Sequence, residues 1–210
     1  VIRTTRGYSV LQRSPGQGKA LVPLQNQTMR RAHMKLDSDP PYEDSLVLWL
    51  QAGCWYADIR VNLAQGEIYS GFGGVVWWQA PKLWFQHLIN ISGDLSDQDI
   101  GDIELTLLGC YERGTVDMDG QTVNFEEKWL CKQSQQTSVY TFSQRGRLKG
   151  LEVQTDQYCI LMIEDNIKLF CRSGRNRWSE VFATTPRENC WQPTRLLPRP
   201  GWQLQEMLGR

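Results

Sequence analysis

The sequence predicts an all-β protein: one antiparallel β-barrel of about eight to ten strands, with an N-terminal arm and a Pro-rich C-terminal tail. Three observations carry this. From Leu46 onward, runs rich in β-branched and aromatic residues follow one another with little room for helices. Gly, Asn, Asp and Ser turn chemistry punctuates them. Finally, that many antiparallel strands in one body leave fewer exposed edges when they close on themselves; a β-sandwich is the alternative.

In chain order, residues 1–43 read as an arm. Ser14-Pro15-Gly16-Gln17-Gly18 is loop composition, Asp37 to Pro41 ends the segment rigidly, and only Ala20 to Leu24 and Met29 to Leu36 have the character of short elements. The barrel domain follows over 44–185. Its expected strands are Leu46 to Gln51, Trp55 to Leu63, Gly74 to Gln79, Leu83 to Ile91, Ile103 to Asp117, Gln121 to Lys132, Val139 to Ser143, Leu151 to Thr155, Tyr158 to Ile163, Ile167 to Arg172 and Trp178 to Ala183. Gly71-Phe72-Gly73-Gly74, Ser92-Gly93-Asp94, Glu164-Asp165-Asn166 and Ser173-Gly174-Arg175 read as turns, and Ser96 to Gly101 as a single helical turn. The tail, 186–210, carries Pro186, Pro193, Pro198 and Pro200 before a short helix expected from Gln203 to Leu208.

The chain has 210 residues, 40% of them hydrophobic, enough for a sizeable core. Its 23 basic and 23 acidic residues cancel, so no global field collects nucleic acid or an anionic membrane. No run approaches the roughly 18 apolar residues of a membrane span. The expectation is a soluble, cytoplasmic protein with neither a nucleic-acid nor a membrane partner. Six widely spaced cysteines without C-x-x-C read as buried free thiols. Two distant histidines, His33 and His87, make no metal site, and no cofactor fingerprint is present.

The sharpest functional pointer is one hairpin. Asp119-Gly120 is a strong two-residue turn signal, because a type I′ turn needs positive φ at both central positions. Closing it sets Met118 opposite Gln121, Val116 opposite Val123, Gly114 opposite Phe125, Glu112 opposite Glu127 and Cys110 opposite Trp129. That face is apolar except for the two glutamates, so both point inward. Opposed Cβ atoms lie roughly 4.5 to 5.5 Å apart, so two ionised carboxylates there repel; one holds a proton or both share a cation. A bulge at Gly109 or Gly114 would instead turn one acid outward. Glu112 and Glu127 are the candidate catalytic pair.

On the strand from Trp55, alternation splits Tyr56, Asp58 and Arg60 from Trp55, Ala57, Ile59 and Val61. Either the apolar row lines the core and Asp58 and Arg60 are a solvated pair, or the polar row faces the cavity and Arg60 compensates the glutamates. The second arrangement needs the arm or a second subunit to cover the apolar row, which makes a homodimer one expectation. His87 reads as a structural strand residue or a ligand contact. Among nine tryptophans, Trp49 and Trp129 are candidate ligand contacts alongside Tyr56, Asp58, Arg60 and His87.

The stretch from Leu48 to Val61 (Trp49-Leu50-Gln51 … Tyr56-x-Asp58-x-Arg60), with Gly71-Phe72-Gly73-Gly74, Leu83-Trp84 and Asn124-Phe125-Glu126-Glu127-Lys128-Trp129, resembles the lipocalin-like (calycin) family related to the fungal Hri1 protein and its bacterial relatives. That resemblance covers Leu46 to Leu130 and implies a calycin-type barrel, but no chemistry. Gly53-x-Trp55 is also similar to the start of the lipocalin barrel, where a late Arg covers the Trp; Arg172 or Arg177 would take that part. The expected function is a lipocalin-like barrel holding a small hydrophobic or amphipathic molecule in its lumen. The alternatives are an isomerase- or cyclase-type barrel enzyme using a buried glutamate as general acid or base, and a protein-interaction module.

Overall fold

The computed structural model describes residues 23–91, 98–118, 120–174, 177–184, 193 and 200–208. Among these the chain forms strands β1 (Gln27–Leu36), β2 (Leu46–Ala52), β3 (Trp55–Asn62), β4 (Glu67–Gln79), β5 (Lys82–Asn90), β6 (Gln98–Leu105), β7 (Gly109–Met118), β8 (Gln121–Gln133), β9 (Thr137–Gln144), β10 (Arg147–Gln154), β11 (Tyr158–Ile163), β12 (Asn166–Gly174), β13 (Arg177–Ala183) and β14 (Trp202–Leu208). β1 to β8 run as a meander, each strand antiparallel to the next, and β1 pairs with β8 to close the ring. The result is an eight-stranded antiparallel barrel with six further strands outside it. β9 to β13 continue the meander, β14 returns along β9, and Ala183 meets Glu67 in a single parallel step onto the barrel.

The strands outside the ring follow from β2 and β3, whose outward faces are apolar. Leu48, Leu50, Ala57, Ile59 and Val61 point out of the barrel and are buried against Leu151, Val153, Ile160, Met162, Ile167 and Leu169 of the outer sheet. An apolar outer wall must be covered, and each fully buried aliphatic side chain contributes on the order of 1.5–3 kcal/mol. The chain's own second sheet covers this wall. The glycines read as a turn lie inside β4 and set this contact. A Cβ on Gly71 would stand 2.5 Å from Ile167 Cδ1, and one on Gly73 2.6 Å from Leu151 Cδ2, so only glycine admits the close approach.

A second apolar cluster fills the barrel. It includes Met29, Val47, Trp49, Tyr56, Leu83, Phe85, Ile103, Cys110 and Trp129. Adjacent Trp77 and Trp78 divide as alternation requires: Trp78 packs on this interior, and Trp77 stacks outside on Trp84 at 5.8 Å. A third cluster, with Tyr140, Leu161, Phe170, Trp178 and Trp202, occupies the far face of the outer sheet.

Several expectations are corrected here. The expected all-β antiparallel barrel of about eight to ten strands is present, with eight strands in the ring, and what the expectation lacked is the outer sheet. Part of the 1–43 segment is not an arm, since β1 sits in the ring between β2 and β8. Residues 98–101, read with 96 and 97 as a helical turn, belong to β6. Gln203 to Leu208, expected as a helix, is strand β14, whose pairing with β9 carries a bulge between Leu204 and Glu206. Arg172 lies over Trp178, at 4.4 Å from its ring centroid, on the outer sheet. Cys110, Cys131 and Cys171 are free thiols. Asp119, Cys190, the 92–94 turn, residues 1–22 of the arm and most of the 186–199 tail lie outside the described residues.

Candidate functional site

The site begins with the β7–β8 ladder, which has the register the turn dictates: Met118 with Gln121, Gly114 with Phe125, Glu112 with Glu127, Cys110 with Trp129. Gly120 has φ of +80°, and its amide donates to the Asp117 carboxylate at 2.9 Å. Both glutamates are buried and face the barrel interior. Room for Glu112 comes from β6, where a Cβ on Gly101 would lie 2.5 Å from Glu112 Oε1.

The two acids are not equivalent. Arg31 Nη1 lies 2.6 Å from Glu127 Oε1, and Arg31 Nε lies 2.7 Å from Glu43 Oε2. A bulge in β1 between Arg31 and His33 makes this possible. It puts Arg31 opposite Trp129 and Met34 opposite Glu127, so two residues three apart both face inward. Burial alone would raise the Glu43 carboxyl and lower Arg31, but their mutual hydrogen bonds and charges reverse both: Glu43 is held below its ordinary value and Arg31 above. Glu112 receives no guanidinium among the described residues. Its Oε2 accepts a hydrogen bond from Trp129 Nε1 at 3.1 Å. Burial, and then the charges of Glu127, Asp58 and Asp99, push its pKa well above the ordinary carboxyl range.

On β3 the polar row faces inward. Tyr56 and Asp58 are buried in the barrel, and Arg60 reaches the rim with 38% of its side chain exposed. The expected role of Arg60 is corrected: Arg31 is the cation that meets the glutamate pair, and it meets Glu127 alone of the two. Arg60 Nε stands 4.0 Å from Asp58 Oδ1, and its guanidinium lies 5.8 Å from the Phe72 ring centroid. Asp58 is pushed up to about 7, by burial above all, with Arg60 opposing the shift. His87 on β5 is buried, stacks on Phe72 at 4.4 Å, and has Nε2 3.2 Å from Asp99 Oδ2 without an aligned hydrogen bond. The Tyr56 hydroxyl has no hydrogen-bond partner among the described residues, and neither does Asp58 Oδ1.

The interior is therefore divided. In one half Trp49 meets Phe85 and Trp129 edge to face, with ring centroids 5.2 and 5.5 Å apart, and those rings fill the space. Trp49 donates through Nε1 to Gln51 Oε1 at 2.9 Å. Both tryptophans expected to contact ligand are core there, although Trp129 also bonds Glu112. In the other half lie the buried polar side chains Arg31, Asp58, His87, Glu112 and Glu127, with the more exposed Asp99 and Arg60 at the rim. Sequence reasoning missed Arg31, Glu43, Phe72 and Asp99. Met29 to Leu36 was visible as a short element, but the bulge hides its two-residue period.

Neither a protein-family model nor a curated protein matches the sequence. The fold is similar to the crystal structure of the uncharacterized protein YLR301w from Saccharomyces cerevisiae, with a TM-score of 0.69 at 12% sequence identity, over 87% of this chain and 99% of that chain. That likeness concerns the all-β barrel architecture alone.

Proposed function

We propose that the protein is a lipocalin-like binding protein that takes a small amphipathic molecule at the polar end of its barrel. The observation behind this reading is the Tyr56 hydroxyl, fully buried and unpartnered among the described residues, beside Asp58 and Glu112. Buried polar groups ordinarily find partners, and leaving one unmade costs about 1–3 kcal/mol. A polar head group entering past Arg60 and Asp99 supplies such partners, while Phe72 offers an aromatic wall. The filled aromatic half moves the site from the whole lumen to this end.

A second reading, an isomerase- or cyclase-type enzyme, draws on Glu112. A buried acid whose pKa is raised by burial and by neighbouring carboxylates is suited to proton transfer, with Trp129 Nε1 donating to its Oε2.

Native mass spectrometry of freshly purified protein tests the binding reading. The expected result is a small-molecule adduct that disappears in Asp58→Leu. A bare chain that also gives no response to a library of amphipathic fragments in ligand-observed NMR overturns it.

A further inference from the structure

The polar end holds more acid than base. Glu43, Asp58, Asp99, Glu112 and Glu127 supply five carboxyls against the two guanidinium groups of Arg31 and Arg60. Arg31 is committed to Glu43 and Glu127, and Arg60 meets only Asp58, at 4.0 Å. Glu112 has no cation within hydrogen-bond reach among the described residues. An anionic ligand would add repulsion to this set, whereas a cationic one removes it.

Resting on the small-molecule reading above, we propose that the ligand class is the protonated amine, whose ammonium group sits at the polar end with Asp58, Glu112 and Asp99 as counter-ions, Tyr56 as hydrogen-bond partner and Phe72 as aromatic neighbour. Of the polar atoms there without a partner among the described residues, Arg60 Nε and a His87 ring N–H are donors, while Asp58 Oδ1 and the Tyr56 oxygen match a donor. Asp58 Oδ1 only accepts, the Tyr56 oxygen accepts as well as donates, and an ammonium brings three donors and no acceptor. The aromatic rings favour the same ligand: Phe72 already lies under the Arg60 guanidinium, the geometry by which a ring face attracts a cation. A metal ion fits less well, because no three His, Cys, Asp or Glu side chains among the described residues converge as a metal-binding group. An organic cation spreads its contacts over a wider site.

Proton linkage follows. Asp58 on β3 faces Arg60 on its own strand, Arg31 on β1, His87 on β5, Asp99 on β6, Glu112 on β7 and Glu127 on β8. A cation arriving among them favours the ionised acids, so Asp58 and Glu112 release protons to the buffer on binding, and amine affinity rises with pH from 5 to 8.

The test is isothermal titration calorimetry of the full chain with phenethylamine, 2-phenylethanol and 3-phenylpropionate, three probes sharing a ring and differing in head group, with n-hexylamine as a second amine. Phenethylamine is expected to bind about tenfold or more tightly than the alcohol, with no saturable binding of the carboxylate. Asp58→Asn with Glu112→Gln should shrink the amine preference to about twofold, and Tyr56→Phe alone should weaken amine binding about threefold or more. Should the double variant fail to fold, Tyr56→Phe and the rise of wild-type affinity with pH decide the matter. Equal or tighter binding of 2-phenylethanol or 3-phenylpropionate overturns the amine class while leaving a small-molecule site standing. Silence from both amines at about 10 mM overturns the amine class too, and the broader reading then rests on whether an adduct co-purifies.

Discussion

Glu112 and Glu127 oppose one another across the β7–β8 ladder, yet among the described residues only Glu127 meets a guanidinium, that of Arg31 at 2.6 Å. Two identical side chains in mirrored positions thus carry opposite energetic roles. Glu127 belongs to a Glu43–Arg31–Glu127 triad, buried except for the half-buried Glu43, that joins β1, the 43–45 segment and β8. Among the described residues Glu112 accepts from a neutral indole, and its burial favours the protonated form.

Arg31→Met should therefore be severe. It strands the buried carboxylate of Glu127 and the half-buried one of Glu43, and breaking a buried ion pair by removing one partner costs about 3–5 kcal/mol. Urea unfolding measures the loss. Adding Glu127→Gln to Arg31→Met should recover part of it, because the amide no longer needs a cation.

Asp58 gives the pH dependence a sign. Its folded pKa of about 7 lies above the ordinary 3.8, so between those values the folded chain keeps a proton the unfolded chain has lost. Its contribution to stability falls as pH rises through that window, by at most about 1.4 kcal/mol per pH unit. Asp58→Asn removes the effect. Urea midpoints for wild type and variant should be closest near pH 4 and diverge by pH 8, with the variant the more stable there. Glu43 works in the other direction: its pKa is held down, so its contribution is lost as pH falls through the folded value.

The facing of β3 is tested by neighbours. Ile59 is fully buried between barrel and outer sheet, so Ile59→Ala should cost about 2–4 kcal/mol. Arg60, one residue on, reaches the rim, and Arg60→Ala should cost less than about 1 kcal/mol. Similar losses at both positions would mean the strand is turned the other way.

Gly101 reports on Glu112. An added Cβ would stand 2.5 Å from Glu112 Oε1, so Gly101→Ala must displace that carboxyl, at about 1–3 kcal/mol. In a Glu112→Ala background, where the side chain is short, the thermal-unfolding penalty of Gly101→Ala should largely vanish.

The hairpin was legible because one turn and a two-residue period determine register and facing together. Neither the β1 strand nor β14 offered that regularity. Each carries a bulge, between Arg31 and His33 in one and between Leu204 and Glu206 in the other, and a single extra residue shifts every later side chain out of phase. With β1 unread, the Arg31 cation was missed and Arg60 stood in its place. Gly71 and Gly73 misled for another reason: glycine marks a turn as readily as a close sheet-to-sheet contact, and only the position of Leu151 and Ile167 decides which. The ring itself followed from strand number, but sequence offered no sign that six strands would lie outside it, since an apolar row reads alike whether it faces a lumen or a second sheet.

The asymmetry of the two glutamates is the centre of this account, and urea midpoints of Glu112→Gln and Glu127→Gln at neutral pH test it most directly. Glu127→Gln weakens the bond to Arg31 and should lower stability by about 1–3 kcal/mol. Glu112→Gln keeps the shape and an acceptor for Trp129 while removing an acid with no cation beside it, so its midpoint should rise, as expected of a residue retained for function at a cost in stability. A lower midpoint in both variants would contradict the account.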